Sequence, residues 1–156
     1  MRIFAKTETK NFLAGLDKRM GSAQAWLETP DGQLLIVKSD YKQHWSVPGG
    51  IIDAEETPLE AVQREVHEEI GIELPLADYS LVIAASRRSP RGYSYQFIFK
   101  ADFQDDVRDK ISLQPSEIEE AAFVTREQVM SGDRNYGHAI IAWAKGTTGY
   151  AEFVLD

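Results

Sequence analysis

The sequence predicts an α+β fold, a mixed β-sheet sandwiched by helices. Two observations predict it. The segments run strands, helix, strands, helices, without the regular βαβ alternation of a doubly wound sheet. No internal repeat, low-complexity tract or linker-like shift divides the 156 residues, so residues 1–156 read as a single domain. Apolar residues make up 43% and charged residues 27%, a globular balance. A chain of this length buries a sizeable core without staples.

Residues 1–20 form a mixed extension, predicted to pack on the domain through Phe4, Phe12, Leu13 and Leu16 as a short helix or an added strand. Residues 22–28 and 34–38 read as strands joined by Pro30-Asp31-Gly32, in which proline presets φ and Asp-Gly tolerates left-handed conformations. Tyr41 to Trp45 then lead to the breaker Pro48-Gly49-Gly50. Residues 57–70 carry the strongest helix signature: Thr57 as N-cap, Pro58 at the first helical position, Glu60 completing a capping box and Gly71 at the left-handed C-terminal position. Leu59, Val62, Val66 and Ile70 recur at helical spacing as its core stripe. Strands are predicted at 81–86 and 93–101, flanking an Arg/Ser/Pro/Gly turn, and at 121–124. Helices are predicted at 125–130 and 138–145, and an edge strand at 150–155.

The formal charge of −8 argues against a general nucleic-acid binder or an anionic-membrane binder, because both need a positive footprint. It allows a small phosphate-bearing ligand if a divalent cation bridges the two negative partners. The absence of cysteine excludes disulfides, thiolate zinc sites and a cysteine nucleophile, and it fits a cytoplasmic protein. No apolar run approaches the roughly 20 residues of a membrane span, and the first 20 residues lack a signal-peptide core.

The chemistry concentrates in the helix at 57–70. Glu65, Glu68 and Glu69 stand at i, i+3 and i+4, so their carboxylates project from one face. Like charges on one arc repel, and near a helix C-terminus they also oppose the macrodipole. A solvated acidic face is the bland reading. A hard-cation site is the sharp one, since clustered carboxylate oxygens are what Mg²⁺ or Mn²⁺ require. Metal-assisted displacement at phosphorus is the chemistry implied.

From Gly50 the chain reads GIIDAEETPLEAVQREVHEEIGI, 23 residues that match every fixed position of GX5EX7REUXEEXGU, with U aliphatic. This is the Nudix box, and the chain strongly resembles a Nudix hydrolase (MutT-like). The resemblance implies an α/β/α sandwich with the box as loop–helix–loop. It also implies a pyrophosphatase activity: Mg²⁺-dependent hydrolysis, with Mn²⁺ as substitute, of a nucleoside diphosphate linked to another moiety, X, by water attack at phosphorus. By the same resemblance Glu65, Glu68 and Glu69 are carboxylate ligands and the Gly49 carbonyl is a further ligand. Arg64 pairs with Glu56 to lock the loop against the helix. The general base is Glu65 or Glu68, or lies outside the box, with Glu117 as candidate because it shortly precedes a strand ending in Phe123; a solvated acidic turn is the alternative for Glu117.

Arg87, Arg88 and Arg91, with Tyr93 and Tyr95, form a local basic–aromatic patch. It reads either as a grip on substrate phosphates and base or as an exposed hairpin tip whose arginines protect a strand edge. Trp45 reads as core or as a base-stacking platform, His44 and His67 as surface residues, and His138 as a cap or packing residue. X stays open among nucleoside triphosphates, ADP-ribose and nucleotide sugars. A homodimer is common among similar proteins. Isomerase chemistry on this fold needs a catalytic cysteine, which is absent. A silent binding module on this fold would typically have lost box carboxylates, and here all are present.

Overall fold

The computed structural model describes residues 6–103 and 105–155; Phe4, expected to pack on the domain, lies outside them. Seven strands build one mixed sheet: β1 (Met20–Glu28), β2 (Leu34–Lys38), β3 (Gly49–Ile51), β4 (Ser80–Ser89), β5 (Gly92–Asp102), β6 (Glu120–Val124) and β7 (Gly149–Val154). Their order is β6-β2-β1-β5-β4-β7, with β3 paired beside β1. The β1–β5 and β4–β7 pairs are parallel and the others antiparallel. Helices α1 (Lys6–Ala14), α2 (Pro58–Ile70), α3 (Arg126–Ser131) and α4 (His138–Ala144) complete the regular structure, with two 3₁₀ turns at Leu76–Asp78 and Asp105–Lys110.

Strand alternation divides the core between the two faces of the sheet. Ala23, Ala25 and Leu27 of β1 pack with Phe99 against Ala61, Val62, Val66 and Ile70 of α2. Trp26, Ile36, Ile83 and Ile98 face the other way, against Val129, Ile140 and Trp143 of α3 and α4. The result is the three-layer α/β/α sandwich the resemblance implied. Trp45 is half-buried against this second core, and the Arg134 guanidinium lies 5.0 Å from its ring centroid. β7 closes one edge of the sheet beside β4, where the sequence put an edge strand.

Two expectations are corrected. α1 forms but buries none of its residues, leaving Phe12 and Leu13 exposed rather than packed on the domain. In addition, β4 and β5 run on to pair Ser89 with Gly92, so the turn is only Pro90-Arg91. Gly92 adopts φ 113°, a conformation side-chain-bearing residues avoid, which lets so short a turn close. Arg87 and Arg88 are therefore strand residues on opposite faces of the sheet, not neighbours on a loop tip.

Candidate active site

α2 is placed by its ends. Thr57 Oγ1 accepts from the Glu60 backbone N–H at 3.2 Å, and Glu60 Oε2 accepts from the Thr57 backbone N–H at 2.8 Å. At the other end Gly71 adopts φ 70° and donates to the His67 carbonyl at 2.9 Å. The last carbonyls of α2 are then taken by the segment leading to β6: Ser112 N–H donates to Ile70 O at 2.9 Å and Gln114 N–H to Glu69 O at 3.1 Å. Helix ends must find such partners, and here the partners bring Glu117 to the acidic end of α2.

Arg64 organises the acidic cluster. Its Nε and Nη2 meet Glu56 Oε1 and Oε2 at 2.8 and 2.9 Å, a two-pronged fork. Nη2 also donates to the Ile51 carbonyl at 3.1 Å, tying the loop after β3 to the helix. Nη1 reaches Glu65 Oε1 at 2.8 Å and Glu68 Oε2 at 3.2 Å, so two of the carboxylates that the sequence left unpaired share one guanidinium. This partnership raises the Arg64 pKa above its ordinary value, through the Glu56 hydrogen bonds first and then Glu65.

The three glutamates differ in burial. Glu68 is exposed, Glu65 half-buried, and Glu69 only 4% exposed, its Oε2 accepting from the Gly49 backbone N–H at 2.9 Å. Burial pushes the Glu69 carboxyl up to about 7; the Gly49 N–H and the Lys42 charge oppose the shift, and Glu65 and Glu117 add to it. Glu65 is raised as well, by burial first, with Glu68 and Glu117 contributing through their charges. Glu117 is thus electrostatically part of the cluster although its side chain is exposed.

The paired glycines explain the approach of β3. A Cβ on Gly49, at φ 140°, would lie 2.6 Å from Gln24 Cα. A Cβ on Gly50 would lie 2.6 Å from Glu65 Cδ, so the carboxylate sits where a side chain would otherwise be. Among the described residues no three acidic or histidine side chains converge as a ready-made cation cage. Glu65 and Glu68 are turned onto Arg64, and Glu69 onto Gly49. The donor set is nonetheless all-oxygen and carries a buried, mutually repelling carboxylate, which suits a hard divalent cation.

On the opposite face of the sheet, under the start of α4, lies a cleft of about 790 Å³. His44, Arg87, Ser89, Arg91, Tyr136 and His138 are among the side chains that line it. From His138 a hydrogen-bonded chain runs inward: His138 Nε2 lies 2.7 Å from Gln96 Oε1, and Gln96 Nε2 donates to Gln24 Oε1 at 2.7 Å. Because Gln96 donates to Gln24, its Oε1 is left to accept, which puts the His138 proton on Nε2. Gln24 is the β1 partner of Gly49, so this chain ends beside the strand pair that holds Glu69.

His138 is half-buried, with its ring centroid 4.7 Å from that of Phe153. Burial, with help from the Arg87 and His44 charges, brings its pKa down to about 4. His44, read from the sequence as a surface residue, packs on Gly137, and burial lowers its pKa too. The basic patch divides: Arg87 and Arg91 line the cleft, whereas Arg88 and Tyr93 belong to the other face, where Arg19 lies 5.0 Å from the Tyr93 ring centroid. Sequence reasoning passed over Gln24, Gln96 and the cleft role of His138. The available signal was a glutamine at an inward register position in each of two apolar strands.

The chain belongs to the Nudix family: the NUDIX domain model matches residues 18–143. Over 109 residues it is 31% identical to an ADPR responsive transcriptional repressor NtrR of Acinetobacter baylyi, covering 67% of this chain and 42% of that one. Over 111 residues it is 30% identical to diphosphoinositol polyphosphate phosphohydrolase 2 of Rattus norvegicus, covering 70% of this chain and 62% of that one. The match therefore spans about two fifths to three fifths of those relatives. In solved structures the fold is similar to the MutT protein from Methanosarcina mazei, with TM-score 0.68, 20% identity and coverage of 85% and 96% of the two chains. It is also similar to the NUDIX domain of Shewanella oneidensis NrtR complexed with ADP ribose, with TM-score 0.69, 18% identity and coverage of 92% and 97%. No described helix is long and apolar enough to cross a membrane.

Proposed function

We propose that this protein is a Mg²⁺-dependent pyrophosphohydrolase that cleaves the phosphoric anhydride of a nucleoside diphosphate linked to X, in the cytoplasm. The observation that carries the reading is the buried Glu69, gathered with Glu65 and Glu117 and raised to about 7 by that burial and company. A carboxylate kept in so costly a place implies a positive partner. Glu65, Glu68 and Glu69, with the Gly49 carbonyl and Glu117, would hold the cation. When bound it supplies neutralisation of charge on the bridging and leaving phosphate oxygens.

The chain's own residues account for the rest. Glu65 is the base: Arg64 occupies its Oε1, Oε2 is left to take the proton of the attacking water, and partial burial raises its basicity. The water oxygen then bonds to phosphorus as the bond from phosphorus to the bridging oxygen breaks. Arg64 and Glu56 position Glu65 and the loop after β3 without touching substrate. Arg87 and Arg91 are the substrate-binding residues of the cleft.

A second reading, a silent nucleotide-binding or sensor module, is favoured by the similarity to a repressor that responds to ADPR. The complete carboxylate set favours turnover. A hydrolysis screen with Mg²⁺ or Mn²⁺ decides between them, with products identified by mass. The panel would hold nucleoside triphosphates, ADP-ribose, nucleotide sugars, dinucleotides and diphosphoinositol polyphosphates. One substrate cleaved far faster than the others identifies X. No turnover anywhere on the panel would replace the hydrolase reading with the sensor one.

A further inference from the structure

The cleft carries more positive charge than its surroundings explain. The protein is acidic, at −8, yet the described side chains lining this cleft include two arginines and no carboxylate. Arg87 is only partly exposed, and its Nε is buried without any hydrogen-bond partner. Among the described residues no ion pair engages Arg87 or Arg91. Burial first, and then the charge of Arg91, disfavour the charge on Arg87. A buried donor left empty beside a second cation costs stability unless a ligand fills it.

Neighbouring structure holds this arrangement in place. Arg87 pairs with Ser94 across β4 and β5, on the face that carries Gln96 and His138. The Arg91 backbone N–H donates to Ser89 Oγ at 3.2 Å, fixing the turn beside it. His44 packs on Gly137 at the entry to α4 and closes the opposite wall. Rigid strands and a two-residue turn thus present a fork-shaped donor with no acceptor, the arrangement that suits a phosphate.

We propose that this cleft is a second anion site that binds a phosphomonoester carried by X, apart from the anhydride that is cleaved. The substrate class is then a nucleoside diphosphate whose X is itself phosphorylated, and this part of the proposal rests on the hydrolase reading. The bound phosphate supplies Arg87 Nε with its missing acceptor and offsets the Arg87–Arg91 repulsion. The same neutralisation relieves His44 and His138 of a neighbouring positive charge.

Two measurements test it. In the first, divalent metal is removed with chelator, and inorganic phosphate is titrated against chloride at matched ionic strength while the melting temperature is followed. A saturable rise is expected for the wild type. The apparent affinity should fall at least about tenfold in Arg87→Met and in Arg91→Met. Arg88→Met, one residue away on the other face, should respond like the wild type. Without phosphate, Arg87→Met is expected to melt no lower than the wild type, since it removes a desolvated charge. No saturable rise, or a rise that Arg87→Met leaves unchanged, overturns the anion site.

The second measurement compares ADP-ribose with ADP-ribose 1″-phosphate as substrates. Phosphorylation of X should lower KM at least about tenfold in the wild type, and Arg87→Met should abolish the difference between the two compounds. Equal KM values in the wild type overturn the assignment of the site to X. Absence of turnover on both compounds, with phosphate binding intact, overturns the assignment of the site to X and leaves the anion site standing, whereas the hydrolase reading falls only if the whole substrate panel is inert.

Discussion

The Glu65 carboxylate occupies the space that a side chain on Gly50 would need: a Cβ there would lie 2.6 Å from Glu65 Cδ and 2.9 Å from Oε2. The first glycine of the box is thus a clearance for the glutamate assigned as base. Gly50→Ala is expected to push Glu65 off its position. A displacement on the order of 1 Å at a reacting group costs about 100-fold in rate. The variant should therefore lose about two orders of magnitude in kcat/KM while losing little in melting temperature. Wild-type turnover by a folded Gly50→Ala would mean that catalysis does not depend on where Glu65 sits.

The Arg64–Glu56 fork is the strut between the box loop and α2, with Glu56 only 14% exposed. Arg64→Lys keeps the charge but not the two-pronged geometry, so urea unfolding should show a loss of about 1–2 kcal/mol. Glu56→Gln should cost a similar amount. The double variant is expected to be less damaged than the sum, with a coupling of about 1 kcal/mol or more. Simple additivity would show that the two residues act independently.

Glu69→Gln should keep an acceptor for the Gly49 N–H while removing a buried charge that Glu65 and Glu117 repel. Without metal the variant is expected to melt higher than the wild type. Mg²⁺ should raise the melting temperature of the wild type by mass action on the native state and raise that of Glu69→Gln much less. Equal metal responses in the two proteins would remove Glu69 from the cation site.

Two groups with pKa values shifted by their surroundings oppose each other in acid. The Glu69 carboxyl is raised from 4.5 to about 7, so the folded protein holds a proton that the unfolded chain has released, and stability falls as pH rises through this window. His138 is lowered from 6.5 to about 4, so the unfolded chain holds the extra proton, and stability rises with pH between those values. Each effect is worth up to about 3 kcal/mol. The metal-free wild type should therefore be nearly flat from about pH 4.5 to 6.5. Glu69→Gln should gain stability with rising pH over that range, and His138→Gln should lose it. Parallel curves for the two variants would refute the opposition.

The helix of the box was legible because its information is local. Capping residues, a 3.6-residue apolar stripe and the left-handed Gly71 all act within a few residues, and α2 formed between Pro58 and Ile70. The hairpin of β4 and β5 was legible in kind but not in extent. Its arginines looked like a loop, yet strand pairing carried them into the sheet. The contacts of α1 were not legible, since Phe12 and Leu13 look like packing residues but meet nothing that buries them.

The sequence by itself determined the family, the acidic face of one helix and the layer architecture, because box spacing and hydrophobic period are one-dimensional patterns. Only the tertiary structure decided which of the three glutamates is buried, that one guanidinium hydrogen-bonds to three carboxylates, and that Arg87 and Arg88 part company. It also decided that His138, Gln96 and Gln24, from three distant segments, form one hydrogen-bonded chain. Burial, charge pairing and the side of a sheet depend on what the rest of the chain places opposite a residue, and no local pattern contains that information.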